Sequence, residues 1–336
     1  MNRLAVFGWD DEASRLLAAL TEAASFRIAA VGDRSTGALV RARAATGVPC
    51  FPHALEMFQH AQVDAALIDG AEGSAQAAHA AARAGAAILL VGSDTDGATV
   101  VEAAETALRE HVPFVLLRPR LQHAGLTALA DLAASDAGWR PRYLEVTFVA
   151  PDDSTALMSD AVALANRLMS AAPRSVVAST HGGALDDGRA AEPRAIVAEL
   201  HYPDGRLASL RTRMGATEQT TLFADCSLGE LELRAEGATS TLTMTFRDGR
   251  RETSRLADRD VFVLEAQRAA RAVAGGLDDA LPAPTDGVVL TALERSIETG
   301  QVATVEERSR RANLVLVEGR GTTTSVPRGQ LHLVGG

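Results

Sequence analysis

The sequence predicts an α/β protein of two domains. A doubly wound parallel sheet occupies about residues 1–120, and an α+β domain with a large, mostly antiparallel sheet occupies 121–336. Three observations predict this. The chain has 336 residues, more than one ordinary core absorbs. Up to residue 117, short apolar runs alternate with helical stretches, the pattern of parallel strands joined by right-handed crossovers. After residue 121, strand-like segments punctuated by the turn pairs Asp204-Gly205 and Asp248-Gly249 outnumber helices.

Residues 3–8 (RLAVFG) form the first strand, ending in glycine, and a helix follows over 13–24. A second strand, 26–31, ends at Gly32-Asp33. The helix over 36–47 stops at Gly47-Val48-Pro49. Strands at 63–68, 87–91 and 113–117 alternate with helices at 75–84 and 98–110. The second domain opens with a helix at 126–135, a strand at 143–149 and a helix at 158–170. Strands follow at 175–179, 195–201, 207–212, 220–225, 229–235 and 241–246, then helices at 262–274 and 287–300. Segments 312–319 and 329–336 read as two further strands, which extend the second sheet or cover the cleft between domains.

Composition bounds the partners. Hydrophobic residues make up 47% of the chain and charged residues 23%, a globular balance. The net charge of −10 argues against nucleic acid or an anionic membrane as partner. The longest apolar runs, such as 86–92, fall far short of a membrane span. The chain opens on a strand rather than a secretory pattern, so the cytoplasm is the expected compartment. Cys50 and Cys226 are isolated and read as reduced core residues, and no zinc-ligand spacing occurs. All 33 basic residues are arginine; lysine is absent. Arginine stays protonated in proteins, so the chain has no side-chain amine that could be tuned as an acid or base.

Several segments, in order, resemble the Gfo/Idh/MocA family of sugar and inositol dehydrogenases over roughly residues 3–305. Val63-Asp64-Ala65 followed by ALIDG is similar to that family's third-strand motif. AAHAAARAGAAILLVGS resembles the helix and strand leading to its Glu-Lys-Pro triplet. PFVLLRPRLQHAG resembles the opening of its second domain, and residues 263–305 its closing helices and strand. The resemblance implies a Rossmann-like first domain binding NAD(P), hydride transfer at a sugar-like alcohol, and a homodimer or homotetramer formed through the second sheet.

Carried over residue by residue, the family's working positions are altered. The phosphate loop falls on Gly8-Trp9-Asp10-Asp11-Glu12-Ala13, where Gly8 and Ala13 fit but Asp10 takes the second-glycine position. Acids at a helix start cap it and oppose a pyrophosphate, with repulsion of about 1 kcal/mol per close pair in water and more near protein. Asp33 ends the second strand where an acid holds the adenosine ribose, and Arg34 beside it suits adenine or a 2′-phosphate. The Glu-Lys-Pro triplet falls on Val91-Gly92-Ser93, and no lysine elsewhere can replace Gly92. The helix that faces the nicotinamide falls on 159–166, with Ala163 for its histidine, Asn166 for its aspartate, and Asp160 one residue from its first acid.

The expected catalytic candidates are therefore Asp160, Asn166, His123, His181 and Asp94, with Ser93, Asp96 and Arg120 as further lining. Histidine titrates near neutrality, which makes His123 and His181 acid/base candidates. The acidic pairs Asp152-Asp153 and Asp186-Asp187 read as solvated loop charges. Three functions stay open. The first is a descendant of the dehydrogenase scaffold that handles a sugar-like or biosynthetic small molecule without hydride transfer and without a cofactor. The second is an NAD(P)-dependent oxidoreductase with a drifted site. The third is an inactive partner subunit of an active homologue.

Overall fold

In β1 (Asn2–Phe7), Leu4 and Val6 point to one side of a sheet and Ala5 and Phe7 to the other, and all four are buried. The same two-sided alternation holds in β4 (Ala65–Ile68), β5 (Ala87–Val91) and β6 (Phe114–Leu117). A strand apolar on both faces needs cover on both, which is why this sheet is parallel and helix-wrapped. The computed structural model describes residues 1–9, 11–23, 26–69, 73–92, 95–151, 154–182, 194–257, 259–275 and 283–305. Asp10, Ser93, Asp94, the acidic pairs 152–153 and 186–187, and the two strands expected beyond residue 307 lie outside the described residues.

The first sheet has six strands in the order β3-β2-β1-β4-β5-β6, parallel throughout, with β2 at Phe26–Gly32 and β3 at Cys50–Phe51. Helices α1 (Asp11–Ala23) and α2 (Thr36–Thr46) contribute to the core on one face. Helices α3 (Ala54–His60), α4 (Ser74–Arg83) and α5 (Gly97–Arg109) cover the other.

The second sheet has nine strands in the order β14-β13-β12-β11-β7-β10-β9-β8-β15. Its central strands β7 (Pro141–Ala150) and β10 (Leu207–Met214) run parallel; every other pairing is antiparallel. The flanking strands are β8 (Ser175–His181), β9 (Ala195–His201), β11 (Gln219–Cys226), β12 (Gly229–Glu236), β13 (Thr239–Phe246), β14 (Arg251–Ala257) and β15 (Ala303–Thr304). One face packs on α6 (Ala124–Ser135), α7 (Ser154–Met169) and α9 (Ala283–Thr299), while alternate side chains of the other face, Val177 and Val197 among them, are exposed. No helix among the described residues is long and apolar enough to cross a membrane.

Two late helices tie the sheets together. Helix α8 (Val261–Val273) returns to the first sheet, placing Ala266, Ala269 and Ala272 in the core beside Leu16 and Leu20 of α1. Helix α9 crosses α5 so closely that a Cβ on Gly97 would stand 2.5 Å from the Gly287 carbonyl oxygen, so only glycine fits there. The free Gly97 N–H donates to Glu294 Oε1 at 3.2 Å.

Three elements have no counterpart in the sequence pattern. β3 pairs with β2 through two residues only, too few to show a period. α3 spans a single seven-residue stretch. β14 is a charged edge strand, RETSRLA, almost wholly exposed, so no apolar alternation marks it.

Candidate functional site

The carboxyl edge of the first sheet meets α7 where β6 ends. Pro119 fixes the backbone there and starts a short 3-10 turn, Pro119–Gln122, which points Arg118 and Arg120 toward α7. Asp160, in the first half of α7, receives both. Arg118 Nη1 donates to Asp160 Oδ1 at 3.1 Å, and Arg120 Nη1 donates to Oδ2 at 2.7 Å. Asp160 and Arg118 are each about 4% exposed. Arg118 Nη1 also reaches Ser159 Oγ at 2.9 Å, and that hydroxyl donates to the Gly92 carbonyl at 3.2 Å. A chain of hydrogen bonds therefore runs from the end of β5 through α7 to the turn after β6.

The network extends on both sides. Outward, Arg120 Nε donates to Glu218 Oε1 at 3.1 Å, and His123 Nε2 stands 3.9 Å from the same oxygen. Inward, Arg118 Nη2 lies 4.0 Å from Asp286 Oδ2, whose other oxygen accepts from Asn166 Nδ2 at 2.8 Å. Burial pushes the Asp286 carboxyl above the usual carboxylate range, against the pull of Arg118 and Asn166 and with a push from Asp160. Beneath the turn, fully buried Glu265 of α8 accepts from the Arg118 N–H at 2.7 Å, from Gln122 Nε2 at 2.8 Å, and bidentately from Arg268. Arg268 in turn donates to the Leu116 carbonyl at 2.7 Å. Each buried charge here has an opposite charge, as burial demands.

At the other end of the sheet edge, Gly8 adopts φ +88°, and a Cβ on it would meet Asp69 Cβ at 2.5 Å, so only glycine permits this turn. Its N–H donates to the Gly32 carbonyl at 3.0 Å, while Asp69, 4% exposed, ends β4 directly alongside. Asp33 Oδ1 accepts from the Ser35 N–H at 2.6 Å, and Ser35 caps α2. Arg34 Nη2 donates to Gln76 Oε1 at 3.1 Å, and its guanidinium lies against Gly73, where a Cβ would come within about 3.0 Å of it. Gly8, Asp33 and Arg34 thus share one end of the first sheet.

The structure brings Asp160, Asn166 and His123 into one network. It places His181 on the exposed end of β8 in register with Ala195, with no described contact to that network. Asp96 caps α5, accepting from the Thr99 N–H at 2.7 Å and from its hydroxyl at 3.0 Å. A Cβ on Gly92 would meet the Leu117 carbonyl at 3.1 Å, so this position is crowded even for a small side chain. Arg118, Glu218, Asp286 and Glu265 were not foreseen. Only the Glu265–Arg268 pair had a sequence signal, an acid and a base three residues apart on a helix. Among the described residues no cluster of three or more His, Cys, Asp or Glu is arranged to hold a metal ion.

No family model matches the chain, and no curated protein matches it in sequence. Among solved structures it is similar to an oxidoreductase from Agrobacterium radiobacter in complex with NAD+, L-tartaric acid and magnesium. That match has 14% identity over 90% of this chain and 98% of the other, with a TM-score of 0.74. It is also similar to UDP-N-acetylglucosamine 3-dehydrogenase from Acidithiobacillus ferrooxidans, at 19% identity over 89% and 98%, TM-score 0.71. The apo scyllo-inositol dehydrogenase from Lactobacillus casei matches at 15% identity over 91% and 98%, TM-score 0.70. The shared property at these identities is the fold.

Proposed function

We propose that this chain is a divergent member of the Gfo/Idh/MocA family that binds a sugar-like or biosynthetic small molecule between its two sheets and acts without hydride transfer. The observation that carries this is Asp160, whose two oxygens are held by Arg118 and Arg120 across from Gly92. Where the family resemblance calls for a lysine and a histidine, this site has a glycine and Ala163. A carboxylate engaged on both oxygens by guanidinium groups holds two loops together; it does not stand ready to take a proton from an alcohol. His123 beside Glu218, at the outer end of the network, is the acid/base pair left for a proton-transfer or elimination step.

The fit to a dinucleotide is split. Gly8, Asp33 and Arg34 suit the adenosine half. Asp10 at the pyrophosphate position and the locked Asp160 at the nicotinamide end do not suit the rest, so no step is assigned to a nicotinamide. Thermal unfolding with and without millimolar NADH or NADPH tests this reading directly. A site saturated 100-fold above its dissociation constant adds about 2.7 kcal/mol. The expected result is no shift. A shift lost in Asp33→Ala would instead establish the second reading, an NAD(P)-dependent oxidoreductase with a drifted site, which the geometry of Gly8, Asp33 and Arg34 favours. The exposed face carrying Val177 and Val197 supports a homodimer or homotetramer through the second sheet, or pairing with an active homologue, which sedimentation analysis resolves.

A further inference from the structure

Where β6, α7, α8 and α9 meet lies a cavity of about 20 Å³ lined by Arg118, Arg167, Arg268 and Asp286. We propose that it is a binding site for a small monoanion of the halide class.

The cavity has unmet donors in a lining richer in arginine than in acid. Arg118 is more than nine-tenths buried, and its Nη1 is spent on Ser159 and Asp160, but its Nε and Nη2 have no hydrogen-bond acceptor. A buried guanidinium edge without an acceptor is costly, and native structures rarely tolerate it. The other cations do not relieve it. Arg268 is committed to Glu265 and to the Leu116 carbonyl. Arg167 has its charge disfavoured by burial first, and Arg268 adds repulsion, while Asp131 of α6 and Glu265 offset part of it. Three arginines thus surround the space against one lining carboxyl. Asp286 is 4.0 Å from Arg118 Nη2, beyond a hydrogen bond, and its Oδ1 is already taken by Asn166.

Size selects the ligand. A cavity of this volume takes one water or small ion, and it favours a halide over the larger phosphate or an organic acid. Water would supply an acceptor but no charge. An anion supplies both, and it would stiffen the Arg118–Asp160 pair from behind.

The test uses the full chain at constant ionic strength, with sodium chloride or bromide replaced stepwise by sodium gluconate, whose anion is too large for the space. The expected result is a saturable rise in Tm with chloride and bromide and none with gluconate. Arg118→Met should abolish the rise, and the milder Arg167→Gln should weaken the apparent halide affinity roughly tenfold. Crystals grown in bromide should show an anomalous peak between Arg118 and Asp286. If Tm tracks ionic strength alone in the unaltered chain, or bromide crystals hold only a water there, the proposal fails. If Arg118→Met does not fold, Arg167→Gln decides: an unchanged halide response in that variant also overturns the site.

Discussion

Arg120 reaches Asp160 Oδ2 at 2.7 Å across the junction of the two sheets, while Arg118 holds Oδ1 at 3.1 Å from the turn's other side. One carboxylate on α7 therefore bridges two cations delivered by the residues flanking Pro119. This is a fastening, and its loss has a definite cost.

Asp160→Asn keeps the shape but leaves Arg118 and Arg120 charged and facing a neutral amide. Stability should fall by about 3–5 kcal/mol, the usual cost of orphaning a buried charge. Urea unfolding measures it. Adding Arg118→Met should recover part of the loss, giving a coupling energy well above the roughly 0.5 kcal/mol expected of independent sites. Strictly additive effects would mean that the pair does not act as a unit.

Asp286 makes stability depend on pH. Burial raises its folded pKa above the ordinary value of 3.8, so the folded state holds the proton more tightly than the unfolded chain. Its contribution is full below 3.8 and is lost as pH rises through the raised value. Glu294, raised chiefly by burial as well, acts in the same direction. Asp286→Asn removes one of the two groups. Its Tm should therefore decline less than that of the unaltered protein between about pH 4 and 7. Parallel Tm profiles would rule out Asp286 as a source.

Two glycines in the left-handed region should differ in what they tolerate. Gly8→Ala forces a Cβ onto Asp69 in a left-handed turn and should cost about 1–3 kcal/mol or more. Gly47, at φ +69° with open space around it, should lose only about 1 kcal/mol on the same change. Thermal melts of the two variants make the comparison.

The two cysteines should separate by reactivity. Burial pushes the Cys226 thiol up to about 12, and it donates to the Trp139 carbonyl at 3.1 Å. Cys50 is half-buried and near the surface. A thiol reagent should titrate one group in the native protein and two after denaturation. Two fast-reacting native thiols would contradict the burial of Cys226.

Much of the scaffold was legible because its signal is local. The alternation in RLAVF marks a strand with two apolar faces, and the gap between 117 and 126 marks the change of architecture. β14 escaped notice because an edge strand of charged residues buries nothing, and β3 because two residues carry no period. The site was legible only in part. Gly8, Asp33 and Asp160 could be singled out by position, but His123 and His181 looked alike in sequence. Only His123 lies beside the network, because the 3-10 turn Pro119–Gln122 turns toward α7 whereas β8 ends in solvent.

The chain alone determined that lysine chemistry is impossible here, because no lysine exists anywhere to supply it, and that a glycine stands where strand β5 ends. Those are statements about composition and order, and folding cannot alter them. Only the tertiary structure decided what Asp160 does. Its partners lie 42 and 40 residues away, and Asp286 and Glu265 lie more than 100 residues off. No local pattern encodes which cation a buried acid will meet, because that pairing is set by how α7, α8 and α9 dock against the first sheet. The same docking leaves the far edge of Arg118 without an acceptor.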